Sequence, residues 1–225
     1  MKPLYIDKNC SPLFPLSTQK SSQIPESNGV YWRKLQVSLS SIIGMTSDRE
    51  AELLFFLSTF QDMKGDVMEI GSWLGKSTVH LALGCKLTKN GIVHAIDTFS
   101  GNLGKEDLYT SPLLEGENIY SQFKKNIAFA KLTKFVKIHK KSSENIDQEI
   151  QNIRLAFIDG CHDYNFALHD VRLCSNKLLS GGILVLDDFT SHFPGVVRAV
   201  KEEIINNKQF EVICTIDSLF IARKK

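Results

Sequence analysis

Two groups of residues in this 225-residue chain have the types and spacing to do chemistry. The first is Glu69-Ile70-Gly71-Ser72-Trp73-Leu74-Gly75-Lys76-Ser77, preceded by Val67-Met68. It reads as a buried strand, a glycine turn and the first turn of a helix. Such a turn presents bare backbone N–H groups and a helix N-terminus, which suit an anionic group. Glu69 suits a cationic one. The second group is acidic. Asp159 ends one apolar run, Asp187-Asp188 end another, and His162 lies three residues past the first. Carboxylates gathered around one point suit a hard divalent cation such as Mg²⁺, with Mn²⁺ or Ca²⁺ as alternatives. A neutral imidazole near pH 7 suits removal of a proton from a hydroxyl.

The glycine turn has competitors. A P-loop needs four residues between its first glycine and Gly-Lys-Ser/Thr, and here there are three. Glu69 would also repel a polyphosphate. A dinucleotide turn prefers a glycine where Trp73 stands, and the indole would obstruct a pyrophosphate. A ligand with an ammonium, a sulfonium and one small carboxylate fits better: Glu69 for the cationic end, the backbone N–H groups and Ser77 for the carboxylate. Asp97, at the end of the next apolar run, can accept both hydroxyls of a ribose. Taken alone it reads more often as a turn residue than as a ligand; coupled with the glycine turn, the ligand reading prevails.

These residues need elements to hold them. Ser47-Asp48-Arg49-Glu50 is a capping box leading into Leu53, Leu54, Phe56, Leu57 and Phe60. Helices and short apolar strands then alternate. Strands are expected at 67–70, 92–97, 135–138, 155–159 and 183–188, and helices at 77–87, 118–130, 165–178 and 195–206. Gly181-Gly182 should turn the chain into the fifth strand. Phe210 to Ile216 and Leu219 to Ala222, separated by Asp217-Ser218, should form an antiparallel hairpin. Strands apolar on both faces, alternating with helices, give an α/β fold: a mostly parallel sheet covered on both sides.

Lys+Arg 27 against Asp+Glu 25 leaves a net charge of +2. No block of like charge marks a nucleic-acid or membrane partner. The five cysteines (Cys10, Cys85, Cys161, Cys174, Cys214) are scattered and odd in number, the pattern of reduced thiols in a cytoplasmic protein. Residues 1–44 stand apart, with four of the six prolines in the first 25 positions. They read either as a mobile leader or as an arm over the active site or over a partner subunit of a homo-oligomer. The irregular stretch Ser100 to Tyr120 is expected to be a lid over the acceptor.

With these residues in view, the chain from about residue 45 to 225 resembles the class I S-adenosylmethionine-dependent methyltransferases. It is most similar to the divalent-metal-dependent O-methyltransferases, such as the catechol type and the bacterial type acting on macrolide sugars. Glu69 to Ser77 matches their E-x-G-x-x-x-G-x-S motif. Lys141-Ser142-Ser143-Glu144-Asn145-Ile146 matches the segment whose serine lies beside the adenine. Leu179-Ser180-Gly181-Gly182 matches their L-x-P-G-G turn, with Ser180 for proline. The resemblance implies a Rossmann-like seven-stranded, mostly parallel sheet ending in an antiparallel hairpin.

It also implies S-adenosyl-L-methionine at Glu69, Gly71, Ser72, Gly75, Ser77, Asp97 and Ser143. In this fold the fourth and fifth strands are neighbours about 4.8 Å apart, so Asp159, Asp187 and Asp188 can surround one Mg²⁺ or related cation. The competing reading makes these aspartates helix caps facing solvent. The family's general base falls on His162. Asp163 is an alternative base or a cap, His80 and His94 are expected to pack, and His192 to border the acceptor pocket. The implied reaction is metal-assisted methylation of a hydroxyl on a small molecule or sugar. The rivals are a metal-independent O- or N-methyltransferase, a P-loop-like nucleotide-binding protein, and a non-catalytic binding domain.

Overall fold

Ser47 opens the helix at Asp48–Thr59 as its sequence requires. Its hydroxyl accepts from Glu50 N at 3.2 Å, and its own N–H donates to Glu50 Oε2 at 2.9 Å, closing the capping box. The computed structural model describes residues 39, 41–101, 118–146, 148 and 150–225. The expected arm at 1–44 therefore lies almost wholly, and the expected lid mostly, outside the described residues. The elements in order are α1 (Asp48–Thr59), β1 (Asp66–Ile70), α2 (Lys76–Thr88), β2 (Val93–Asp97), α3 (Ile119–Phe129), β3 (Val136–Lys140), β4 (Ile153–Ile158), α4 (Tyr164–Lys177), β5 (Leu178–Leu186), α5 (Pro194–Val200), β6 (Phe210–Ile216) and β7 (Leu219–Lys224). A π-helical turn, Lys201–Ile205, extends α5.

The strands form one seven-stranded sheet in the order β3-β2-β1-β4-β5-β7-β6. The first five are parallel; β7 runs antiparallel to both of its neighbours. The mostly parallel α/β architecture and the terminal hairpin are as expected from sequence.

Strand residues alternate between two apolar layers. Val67, Leu155 and Phe157 face the layer built with α1, α2 and α3. Met68, Ala156 and Ile158 face the layer built with α4 and α5. Each of these six is no more than 5% exposed, which is why the strands read as unbroken apolar runs. Burying each side chain contributes about 1.5–3 kcal/mol for those larger than alanine.

One element differs from expectation. The fifth strand begins at Leu178, directly after α4, rather than after Gly181-Gly182. Ile153 pairs with Leu178 while Leu155 pairs with Ile183, so extra residues bulge out between them. Gly181, at φ +84°, takes the bend that a side chain would resist, and the strand continues through it.

Candidate functional site

Strand order reverses between β1 and β4, since β2 and β3 lie to one side and β5 to the other. In open α/β sheets the crevice at the carboxyl ends of such strands is the natural ligand site. A cavity of about 590 Å³ lies there, within the usual range for a small-molecule site. The glycine turn, the tips of β2, β4 and β5, the turn after β3, and the start of α4 line it.

Backbone conformation builds the glycine turn. Gly71 has φ +88° and Gly75 φ +90°. A Cβ on Gly71 would stand 1.9 Å from the carbonyl oxygen of Asp159, so only glycine lets β1 and β4 deliver their tips this close together. Helix α2 then opens on Gly75, which has no side chain to cap it, and its first N–H groups are left for a ligand. Gly71, Ser72, Gly75 and Ser77 all line the cavity.

Asp97 has a double duty. Its Oδ2 accepts from Ser72 N at 2.8 Å and Trp73 N at 2.7 Å, and its Oδ1 from Phe99 N at 2.6 Å. It thus clamps the glycine turn while lining the cavity. Two of the backbone donors that sequence reading left for a ligand are already taken by this carboxylate.

Glu69 is placed differently from the expectation of contact with a cationic ligand. It is 0% exposed and lies beneath the turn rather than in the cavity wall. Its Oε2 accepts from Ser72 Oγ at 2.8 Å and from Thr78 Oγ1 at 2.5 Å, while Oε1 has no partner within hydrogen-bonding distance among the described residues. Burial pushes its carboxyl up to about 7, against the pull of hydrogen bonds from Thr78, Ser77 and Ser72.

At the other end lie the acids. Backbone bonds Asp159 N to Ile70 O (2.8 Å) and Asp187 N to Ile158 O (2.9 Å) hold the tips of β1, β4 and β5 level. One ligand atom each from Asp159, His162 and Asp188 lies within 4.8 Å of the others. His162 Nε2 is 2.7 Å from Asp188 Oδ2, and its ring centroid is 4.2 Å from that of Phe193. Asp188 reaches this position through a left-handed backbone, φ +59°, which aspartate tolerates better than most residues. Asp187 turns another way: its Oδ1 accepts from Asp188 N at 2.7 Å and lies 2.5 Å from Ser218 Oγ.

Burial drives the Asp159 carboxyl well above its ordinary range, and the charges of Asp187 and Asp188 push it further. Burial also raises Asp187, with Ser218 and the Asp188 N–H pulling the other way. Crowded, desolvated carboxylates of this kind fit a divalent cation, which would offset both the burial and the repulsion. The nitrogen of His162 in the same group widens the choice toward transition metals.

Three features of the site were not found from sequence. Asp170 and Phe166, both on α4, line the cavity, and Asp170 is 3% exposed. Glu50 and Ser218 line it from α1 and the hairpin turn. Phe193 lines it where His192 was expected, and His192 is exposed. The capping box did mark Glu50, but nothing marked its reach. His80 and His94 are buried as expected; His94 bonds to Asp66 at 3.2 Å and to His139 at 3.1 Å.

A family model described as a methyltransferase domain matches residues 68–189, which takes in every residue assigned to the site from Glu69 to Asp188. No curated protein matches the chain. Among solved structures, an O-methyltransferase from Bacillus cereus in complex with S-adenosylhomocysteine is similar at 19% identity and TM-score 0.58, over 91% of this chain and 94% of that one. The O-methyltransferase TomG from Streptomyces achromogenes, in complex with S-adenosylmethionine, is similar at 14% identity and TM-score 0.59, over 88% and 96%. An rRNA methylase from Streptococcus thermophilus is similar at 15% identity and TM-score 0.52, over 81% and 99%. Likenesses at this identity show a shared fold. Among the described residues no helix is long and apolar enough to cross a membrane.

Proposed function

Since the chain belongs to the methyltransferase family whose domain spans its glycine turn and both acidic strand tips, we propose that it methylates a hydroxyl of a small molecule, such as a sugar, using S-adenosylmethionine and a divalent cation. The observation that carries this reading is a single cavity joining the uncapped start of α2 to the Asp159–His162–Asp188 cluster.

S-adenosylmethionine supplies an electrophilic methyl group on a sulfonium. Gly71, Ser72, Gly75 and Ser77 would hold its amino-acid end, Asp97 its ribose, and Ser143 its base. Glu69 supports that site from below by fixing Ser72 and Thr78. A divalent cation supplies charge that lowers the pKa of an acceptor hydroxyl. Asp159 and Asp188 would hold it, with Asp187 beside them.

The protein's own part in the chemistry is a proton transfer and positioning. With Nε2–H donated to Asp188 Oδ2 at 2.7 Å, a contact that orients the imidazole, Nδ1 of His162 is the nitrogen that takes the acceptor's proton. Phe193 against the ring limits its rotation and excludes water from one side. Holding acceptor and donor in line is worth more than any single group. The free cysteines at 85, 161, 174 and 214 agree with a reducing, cytoplasmic setting. Residues 1–44 would act as an extension to a domain at 45–225.

Calorimetry with S-adenosylmethionine, S-adenosylhomocysteine and ATP tests the cofactor. The first two should bind and ATP should not; the reverse would restore the nucleotide-enzyme reading. Methyl transfer to a panel of hydroxylated metabolites, with Mg²⁺ and with chelator, tests the rest. Equal rates in both would remove the cation from the reaction, and methylation only of amines would move the acceptor atom to nitrogen.

A further inference from the structure

One wall of the cavity still lacks a role. Asp170 lies halfway along α4 and lines the cavity with Phe166, one turn earlier, and Ser143, on the short turn after β3. Ser143 Oγ donates to Asp170 Oδ1 at 2.5 Å. The other oxygen, Oδ2, accepts no hydrogen bond from any described residue, yet it is not among the buried atoms sealed from solvent. It lies beside Gly160, 3.2 Å from where a Cβ would sit on that residue.

A carboxylate placed so deep is costly unless its acceptors are filled. Here one is filled by Ser143, and the other, without a partner among the described residues, lies beside Gly160, which lines the same cavity. An ionised carboxylate only accepts, so the group that completes it must be a donor. Phe166 adds a half-buried ring, an apolar surface suited to a flat heterocycle. The strand order supplies the direction. The tip of β2, carrying Asp97, stands between the tip of β1, with the glycine turn, and the tip of β3, which leads to Ser142 and Ser143. A nucleoside with its ribose at Asp97 and its tail at Gly71 has its base on the Ser143–Phe166–Asp170 side.

Resting on the cofactor reading above, we infer that Asp170 selects the base: its Oδ2 accepts a hydrogen bond from the exocyclic amino group of a 6-aminopurine and disfavours a 6-oxopurine. An oxo group there would bring two acceptors together and leave the carboxylate unfilled. A site built to receive an N–H discriminates strongly against an analogue lacking it.

The test compares S-adenosylhomocysteine with S-inosylhomocysteine by calorimetry at pH 7.5, on the wild type and on Asp170→Asn. The wild type should bind the inosine compound about 10–100-fold more weakly, the span of one hydrogen bond to a charged group. Asp170→Asn should narrow that ratio to within about threefold, because an amide can offer either an acceptor or a donor. A merely structural role would weaken both ligands together and leave the ratio unchanged, overturning the inference. A wild-type ratio near one would also overturn it, and that measurement needs no variant to fold. Failure of the wild type to bind S-adenosylhomocysteine at all would instead overturn the cofactor reading on which the inference stands.

Discussion

Glu50 and Ser218 lie 168 positions apart in the chain and meet at the rim of the cavity, with Ser218 Oγ 2.6 Å from Glu50 Oε1. The same hydroxyl is 2.5 Å from Asp187 Oδ1, and Ser218 N also donates to Glu50 Oε1 at 3.3 Å. The carboxylate that caps α1 therefore also fixes the β6–β7 turn, which in turn fixes an acid at the tip of β5. Ser218→Ala should remove the hydroxyl between Glu50 and Asp187 and leave Glu50 with only the backbone N–H of that turn. The expected loss is about 1–3 kcal/mol by urea unfolding, with weaker cation binding by calorimetry. Ser218→Thr should recover part of both, and full stability in the alanine variant would show that the triad contributes nothing.

Gly71→Ala places a methyl group 1.9 Å from the Asp159 carbonyl oxygen and imposes φ +88° on alanine. Neither strain can be relieved without separating β1 from β4. A destabilisation on the order of 3 kcal/mol or more is expected, together with loss of S-adenosylhomocysteine binding. A stable variant that still binds would mean the two strand tips are not held together as described.

Glu69 titrates near 7 in the folded protein because it is buried, against an ordinary value of 4.5. The folded state thus keeps a proton that the unfolded chain releases. The stability this gives is complete below about pH 4.5 and is lost as pH rises through about 7. In Glu69→Gln the carbamoyl oxygen can still accept from Ser72 and Thr78, and no charge is ever buried. Unfolding curves from pH 5 to 8 should show the variant gaining on the wild type as pH rises, by no more than about 3 kcal/mol. Parallel curves would mean that Glu69 titrates as an ordinary carboxyl.

Asp159→Asn removes the carboxyl that burial and its acidic neighbours raise most. Without added cation at pH 7.5 the variant should melt higher than the wild type, because the cost of burying a carboxyl beside two other acids is gone. Mg²⁺ should raise the melting temperature of the wild type and not of the variant. An equal shift in both would place the cation elsewhere.

His162→Ala should lower the rate of methyl transfer about 10²–10⁴-fold, the usual worth of a general base. Affinity for S-adenosylhomocysteine should stay within about twofold, since His162 stands with the acids and not at the glycine turn. Full activity in this variant would pass the proton to another group, Asp163 being the first to examine.

The sequence by itself determined the layered α/β architecture and the position of the glycine turn. Period, two-sided apolar strands and the capping box are local properties, written in neighbouring residues. It also marked Asp159, His162 and Asp188, because each sits at or just past the end of an apolar run. Tertiary structure alone decided which of these groups face one another. It set His162 against Asp188 and turned Asp187 toward Ser218. It buried Glu69 under the turn and gave Asp97 two of the backbone donors that the turn seemed to offer a ligand. Asp170 gave no signal, since an acid in mid-helix reads as surface until the turn after β3 packs against it. The reason is geometric. Backbone periodicity says which side of an element a residue occupies, whereas hydrogen bonds between distant elements depend on side-chain direction and on a few tenths of an ångström, which are fixed only when the layers pack.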